Sequence, residues 1–227
     1  MAKIWYLGHS CFQLEIDNVR IVTDPFVTEN PLAKDIDLSS VEADIILVTH
    51  GHGDHIGDLV KLANQTNALV LCNYEIYLWL EGQGYKNCRP MSHGGQFSSK
   101  GIDYKVVNAV HSSSFPDGSY AGNPVGFVIH GQHDCIYFAG DTGLTLDMKL
   151  IGEAYDLTGA ILPIGDNFTM GAKDAAIAAN FCGANKVLGM HFDTFEIIEI
   201  DHDAARAAFR EKGVELRLPQ IGEKLDF

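Results

Sequence analysis

The sequence predicts an α/β protein built as a four-layer αβ/βα sandwich, with two mixed sheets face to face, helices outside, and residues 1–227 forming one domain. Three observations lead there. Segments of β character and segments of helical spacing follow one another as meander, βαβ, meander, βαβ, so two halves each bring strands and flanking helices. A chain of 227 residues with 46% hydrophobic side chains buries a sizeable core yet fits a single domain. No internal repeat, low-complexity segment or Pro/Ser-rich linker divides it.

Taken in order, "KIWYL", "CFQLEI" and "VRIVTD" read as short strands, and "DN" between the last two marks a hairpin turn. "ADIILVT" predicts a buried strand that runs into "HGHGDH". Behind it, "DHIGDLVKLANQ" has apolar residues near helical spacing, "ALVLC" is a buried strand and "NYEIYLWLEGQG" a second helix. "IDYKVVNAVH", "PVGFVIHG" and "DCIYFAGD" are three strands in succession. "GAILPI", "KDAAIAANFCGA", "KVLGMHF", "DHDAARAAFREKG" and "VELRLP" then alternate strand, helix, strand, helix, strand.

Aspartate plus glutamate total 30 against 16 lysine plus arginine, a formal charge of −14. Such a surface repels phosphate backbones and anionic lipid, so neither nucleic acid nor a membrane is an expected partner, and a small-molecule substrate is. Composition leaves open whether the chain assembles as a homo-oligomer. The five cysteines are scattered without C-x-x-C spacing and read as reduced and mostly buried. The start "MAKIWYLGHS" has no apolar run of signal-peptide length, and no segment approaches the roughly 18 apolar residues of a membrane span. A cytoplasmic protein is the expectation.

Chemistry-bearing residues sit where strands stop: His9 after "IWYLG", His50 after "ILVT", His111 after "VVNAV", Asp141 after "IYFAG" and His191 after "VLGM". Loop residues there are held by rigid strands and still reach a ligand. The densest group is "HGHGDH". His50 and His52 alternate, so an extended segment points both the same way, while Asp54 and His55 open the next helix and turn back toward them. Gly51 and Gly53 leave the backbone free to bend between them. Imidazole nitrogen with carboxylate oxygen suits zinc, iron, manganese or nickel and suits calcium poorly. Taken singly, each histidine reads as a loop residue and Asp54 as a helix N-cap; four together behind a buried strand read as a transition-metal site.

The motif resembles the H-x-H-x-D-H pattern of the metallo-β-lactamase superfamily. A strand-end histidine in "VVNAVH", the aspartate of "GDT" and a late histidine in "GMH" follow in that family's order. "GHSCF", "PIGDNFTMG" and the compact length look most like its stand-alone metal-dependent hydrolase branch, which is similar to ascorbate-phosphate lactonases. The resemblance implies two divalent ions, zinc first, with manganese, iron or nickel as alternatives. It implies that His50, His52 and His111 hold one ion, that Asp54, His55 and His191 hold the second, and that Asp141 bridges them. Asp58 matches no ligand position and is expected on a helix surface or behind the ligands. Through "GHS" the resemblance places His9 in the pocket lining, where an imidazole of pKa about 6.5 can stabilise an oxyanion or protonate a leaving group. A hydrogen bond within a turn is the plainer alternative for His9.

In "LPIGDNFTMG", Asn167 or Thr169 can contact substrate, Asp166 can orient a ligand histidine, or the polar groups simply cap the following helix. Thr194 and Phe195 fall where a pocket wall is expected, with Thr194 toward substrate and Phe195 more often core. His93, His130, His133 and His202 border turns or a helix start and read as solvated or cap neighbours.

The implied activity is hydrolysis, in which a hydroxide shared by two metal ions attacks an ester, lactone, thiolester, amide or phosphodiester, with Asp54 holding the hydroxide's proton. A redox role of flavodiiron or dioxygenase type is the alternative. Against it, flavodiiron sites usually carry glutamate where this chain has His52, and no flavin-binding segment is appended. A metal-binding module with a dead site would lack ligands, and none is missing. Nuclease relatives carry basic RNA-binding arms that this chain does not have, and a β-lactam hydrolase would normally be exported.

Overall fold

The computed structural model describes residues 1–227. The first half of the chain runs β1 (Lys3–Gly8), β2 (Cys11–Ile16), β3 (Val19–Thr23), β4 (Ile45–Leu47), α1 (Gly53–Ile56), α2 (Leu59–Thr66), β5 (Leu69–Cys72), α3 (Tyr74–Gly82) and β6 (Cys88–Pro90). The second runs β7 (Gln96–Ser99), β8 (Ile102–Asn108), β9 (Val125–His130), β10 (Cys135–Phe138), α4 (Asp147–Ala154), β11 (Gly159–Pro163), α5 (Ala172–Cys182), β12 (Lys186–Met190), α6 (His202–Glu211), β13 (Glu215–Arg217) and β14 (Lys224–Asp226). They form two seven-stranded sheets, ordered β14-β1-β2-β3-β4-β5-β6 and β13-β12-β11-β10-β9-β8-β7.

Each sheet is antiparallel on its meander side and parallel on its βαβ side. The meander follows from turn chemistry. Asp17 and Asn18 both take positive φ, 50° and 63°, the backbone that a two-residue hairpin needs, and they close β2 on β3 with Ile16 opposite Val19. The parallel strands β4, β11 and β12 are almost wholly buried, as strands covered on both faces are. The last strand, β14, leaves the second half and pairs antiparallel with β1, so the chain's two ends lie side by side.

The predicted sandwich is therefore the observed one, with five differences. The single helix expected over "DHIGDLVKLANQ" is two, α1 and α2. The break is at Asp58, whose carboxylate accepts from the Val27 and Thr28 amides and the Thr28 hydroxyl at 2.7, 2.7 and 2.5 Å, and whose own amide donates to the Pro25 carbonyl. Asp58 is 4% exposed, so it is no surface residue; it fastens the 25–28 loop to the motif helix. The other differences are additions: the edge strands β6, β7 and β14, of three or four residues each, and helix α4, which buries only Met148 and Ile151. Strands that short show no readable alternation.

Phe12, Tyr104, Phe127 and Ile136 fill the space between and around the sheets, while Leu59, Leu62, Leu80 and Phe115 belong to a second core under α2 and α3. Each large side chain buried this way contributes about 1.5–3 kcal/mol, so the sandwich stands without help from the polar site at its end.

One glycine of that end is dictated by space. Gly140 has φ +63°, and a Cβ there would lie 2.8 Å from both the Thr49 methyl and the Val125 carbonyl oxygen. Gly140→Ala should therefore destabilise the protein by roughly 1–3 kcal/mol, while Gly143→Ala, where a Cβ meets nothing within 4 Å, should change stability by less than about 0.5 kcal/mol. Denaturant titrations of the two variants check this; equal midpoints would remove the steric argument.

Candidate metal centre

Loops from both sheets converge at one end of the sandwich. His9 follows β1, His50 through His55 follow β4, His111 follows β8, Asp141 follows β10 and His191 follows β12 directly. The amide of His191 donates to the His9 carbonyl at 3.1 Å, which ties a loop of one sheet to a loop of the other. Both residues hold left-handed backbone at φ +55°, a conformation that imidazole-bearing residues adopt at a cost and that clusters at functional sites.

The side chains form overlapping donor groups whose ligand atoms lie within 4.8 Å of one another: His50 with His52 and His111; His9 with Asp54, His55 and His191; and His50 with His55 and Asp141. Asp141 stands at the centre. Its Oδ2 lies 2.9 Å from His191 Nε2, 3.2 Å from His55 Nε2, 3.6 Å from His111 Nε2 and 3.9 Å from His50 Nε2. His9, His50 and His55 are fully buried and Asp141 and His191 nearly so. The Asp54 side chain is 27% exposed and the His111 side chain 11%, so these two, with half-buried His52, form the face that solvent reaches.

Hydrogen bonding fixes which ring atoms are free. Asp24, at the end of β3 and fully buried, accepts from the Thr49 amide with Oδ1 and from the Thr49 hydroxyl with Oδ2, at 2.8 and 2.7 Å. The same Oδ2 accepts from His55 Nδ1 at 2.9 Å. With its proton given to Asp24, the Thr49 hydroxyl accepts from His50 Nδ1 at 2.9 Å. One carboxylate thus turns the Nε2 lone pairs of both His50 and His55 into the site. There, His50 Nε2 faces His52 Nδ1 at 2.9 Å, and His55 Nε2 and Asp141 Oδ1 are buried without hydrogen-bond partners. Acceptors aimed at acceptors in a buried space need a cation between them, so the residues fit transition-metal ions.

The proton affinities agree. Burial pushes His50, His52 and His111 below the ordinary imidazole value, and burial together with neighbouring His191 brings His9 down to about 4, so these rings are neutral donors. Burial opposes charge on His55, yet Asp141, Asp54 and Asp24 raise it well above the usual value, marking the point where positive charge is most favoured. Burial would also lift Asp54 and Asp141, but surrounding imidazoles, His55 and His9 at Asp54 and His191 and His55 at Asp141, hold both carboxyls below their ordinary range.

Residues 3–191 match the family described as a beta-lactamase superfamily domain, a span that contains every one of these side chains. The chain belongs to the metallo-β-lactamase superfamily. Within it, the chain is 50% identical over 224 residues to a UPF0173 metal-dependent hydrolase of Flavobacterium johnsoniae, covering 99% of both chains. It is 46% identical over 226 residues to one of Thermus thermophilus, again covering 99% of both. Among solved structures, a metallo hydrolase from the hyperthermophilic archaeon Ignicoccus hospitalis superposes with a TM-score of 0.89 at 33% identity, covering 100% of this chain and 99% of that one. A metal-dependent hydrolase of the metallo-β-lactamase superfamily is thus what fold, site and relatives jointly describe.

Seven of the side chains expected at the metals, His50, His52, Asp54, His55, His111, Asp141 and His191, meet in this superfamily site. His9 joins them directly, its Nε2 3.2 Å from Asp54 Oδ2. Thr194, expected against substrate, is buried, and its hydroxyl meets His9 Nδ1 at 2.9 Å instead. Phe195 is 37% exposed with its ring 5.7 Å from that of His9, a wall position. Asn167 is exposed at φ +49°, and its backbone N–H donates to the Asp166 carboxylate; no side-chain hydrogen bond links it to the centre. His202 pairs with Asp193 at 2.6 Å and His93 with the Pro124 carbonyl at 2.9 Å, both in ordinary supporting roles. Asp24 and Thr49 are the site residues that the motif does not reveal, although "VTD" ends a strand on an aspartate like the others.

Asp24→Asn keeps the volume but replaces an acceptor by an NH₂ donor facing the Thr49 hydroxyl and His55 Nδ1. Metal affinity should fall by about 10- to 100-fold with the fold retained. Competition titrations against a chromophoric chelator measure this, and unchanged affinity would deny Asp24 its orienting role.

Proposed function

We propose that the protein is a dinuclear metallohydrolase of a small molecule, cleaving an ester, lactone, thiolester, amide or phosphodiester. The observation that carries the reading is the position of Asp141 Oδ2, within 4 Å of imidazole nitrogens from both the His50/His52/His111 group and the His55/His191 group. A carboxylate so placed can serve two ions at once. His50, His52 and His111 would hold one ion, Asp54, His55 and His191 the other, with zinc first and manganese, iron or nickel as alternatives. Those residues would hold divalent cations, which would supply a water nucleophile at neutral pH and charge stabilisation at the attacked carbonyl or phosphoryl.

The chain's own groups do the rest. Asp54, held ionised and exposed on the cleft side, is placed to hold the proton of the attacking water. Burial of His50 and His55 behind it fixes the donor geometry before substrate arrives, so little reorganisation accompanies the reaction. Phe195 and the exposed Val110 and Ile197, on the loops that carry His111 and His191, offer apolar contact to substrate. The loops 48–58, 109–124, 139–146 and 191–201 contain no lysine or arginine. That absence of fixed positive charge supports a small-molecule substrate over nucleic acid or a lipid surface. The printed description of the relatives as metal-dependent hydrolases supports the reaction class.

Purified with its native metal or reloaded with zinc or manganese, the protein should carry close to two ions per chain by elemental analysis. It should hydrolyse at least one member of a panel of lactones, thiolesters, esters and phosphodiesters, losing activity to a chelator and regaining it with metal. Fewer than half an ion per chain after loading, or no turnover across the panel, sinks the proposal. Asp141→Asn removes the shared charge, so hydrolysis should fall further than metal occupancy does. Full activity with two ions bound would show that no bridge is required there.

A further inference from the structure

The mechanism above leaves one imidazole of the cluster without a task. His9 is fully buried, with its Nε2 facing Asp54 Oδ2 at 3.2 Å. The residue is nonetheless held at both its backbone and its ring. The Tyr6 hydroxyl donates to the His9 carbonyl at 3.3 Å, and Thr194 Oγ1 lies 2.9 Å from Nδ1. The Thr194 hydroxyl has its own acceptor, the Phe192 carbonyl at 3.4 Å. With that bond made, His9 Nδ1 donates to Thr194 and Nε2 presents a lone pair. That lone pair faces Asp54 Oδ2 at 3.2 Å and lies within 4.8 Å of the ligand atoms of His55 and His191. Two donor atoms about 2.1 Å from one ion and at an angle of about 100° stand roughly 3.2 Å apart, the separation found here.

We propose that His9 is a fifth protein ligand of the inner metal position, which makes the two positions chemically unequal. The inference rests on the two-ion reading of the site. The inner position then has three imidazoles, His9, His55 and His191, with carboxylates from Asp54 and Asp141. The outer has three imidazoles, His50, His52 and His111, with Asp141 alone. Five protein donors leave little room for substrate or water, whereas three imidazoles and a shared carboxylate give the outer ion four donors, a count from which zinc can expand to five on the side that solvent reaches. The inner position suits an ion that prefers five or six donors, such as iron, nickel or manganese; the outer suits four-coordinate zinc. Thr194 acts as a positioning residue, selecting the His9 tautomer whose Nε2 can bind metal.

The test is stepwise loading of the metal-free full-length chain with cobalt(II), reading stoichiometry by elemental analysis, affinity by chelator competition and coordination number by visible absorption, which is weak for five or six ligands and strong for four. The unsubstituted protein should give a weakly absorbing equivalent and a strongly absorbing one. His9→Asn, chosen because asparagine tolerates the left-handed backbone, should weaken the weakly absorbing equivalent by roughly tenfold or more and shift its spectrum toward four-coordination. His52→Ala should weaken the other. Thr194→Val, which leaves His9 in the chain, should weaken the same equivalent as His9→Asn by a smaller factor, and it carries the test if His9→Asn fails to fold. Two unchanged affinities and spectra in either folded His9 or Thr194 variant would overturn the assignment. Binding of a single equivalent by the unsubstituted protein would instead overturn the two-ion reading, and the His9 variant would still report whether that one ion touches His9.

Discussion

The arrangement of the site depends on one buried carboxylate. Asp24 touches no candidate metal position, yet through His55 Nδ1 and the Thr49 hydroxyl it fixes a ring in each of the main donor groups. Burial pushes the Asp24 carboxyl above its ordinary range while His55 and Thr49 pull it back, and its acceptor oxygens are used on the Thr49 amide, the Thr49 hydroxyl and His55, as a polar group in the interior needs. The lone pairs that result all point inward, so the group is electrostatically unfinished until a cation enters. The separate sandwich core keeps such an unfinished group assembled.

Much of this was legible in the sequence because it is local. Strand-end placement and the spacing of "HGHGDH" depend on neighbours a few positions away, and the hairpin at Asp17 and Asn18 depends on two φ angles those residues accept readily. The two-sheet sandwich followed from the same local readings repeated. What escaped is long-range. Asp24 meets Thr49 and His55 across 25 and 31 positions, and Thr194 meets His9 across 185, so neither contact leaves a periodic trace. The helix break at Asp58 escaped for a related reason: the amides it serves belong to the 25–28 loop, and only packing brings them near.

The backbone at the site is as special as its side chains. His9, Asp24 and His191 all have positive φ, of 55°, 34° and 55°. Each follows a strand whose ladder holds the chain up to that point, so the strain is carried by rigid flanking structure rather than relieved by motion. Because the His191 amide bonds to the His9 carbonyl, the two strained turns brace one another across the sheets.

Both sheets end in strands of only three or four residues: β6 with Pro90 and β14 on one, β7 and β13 on the other. A stub that short, with a proline that cannot donate, gives a neighbouring molecule almost no row of free backbone groups to copy. Short edges of this kind make a poor template for rim-to-rim stacking between copies.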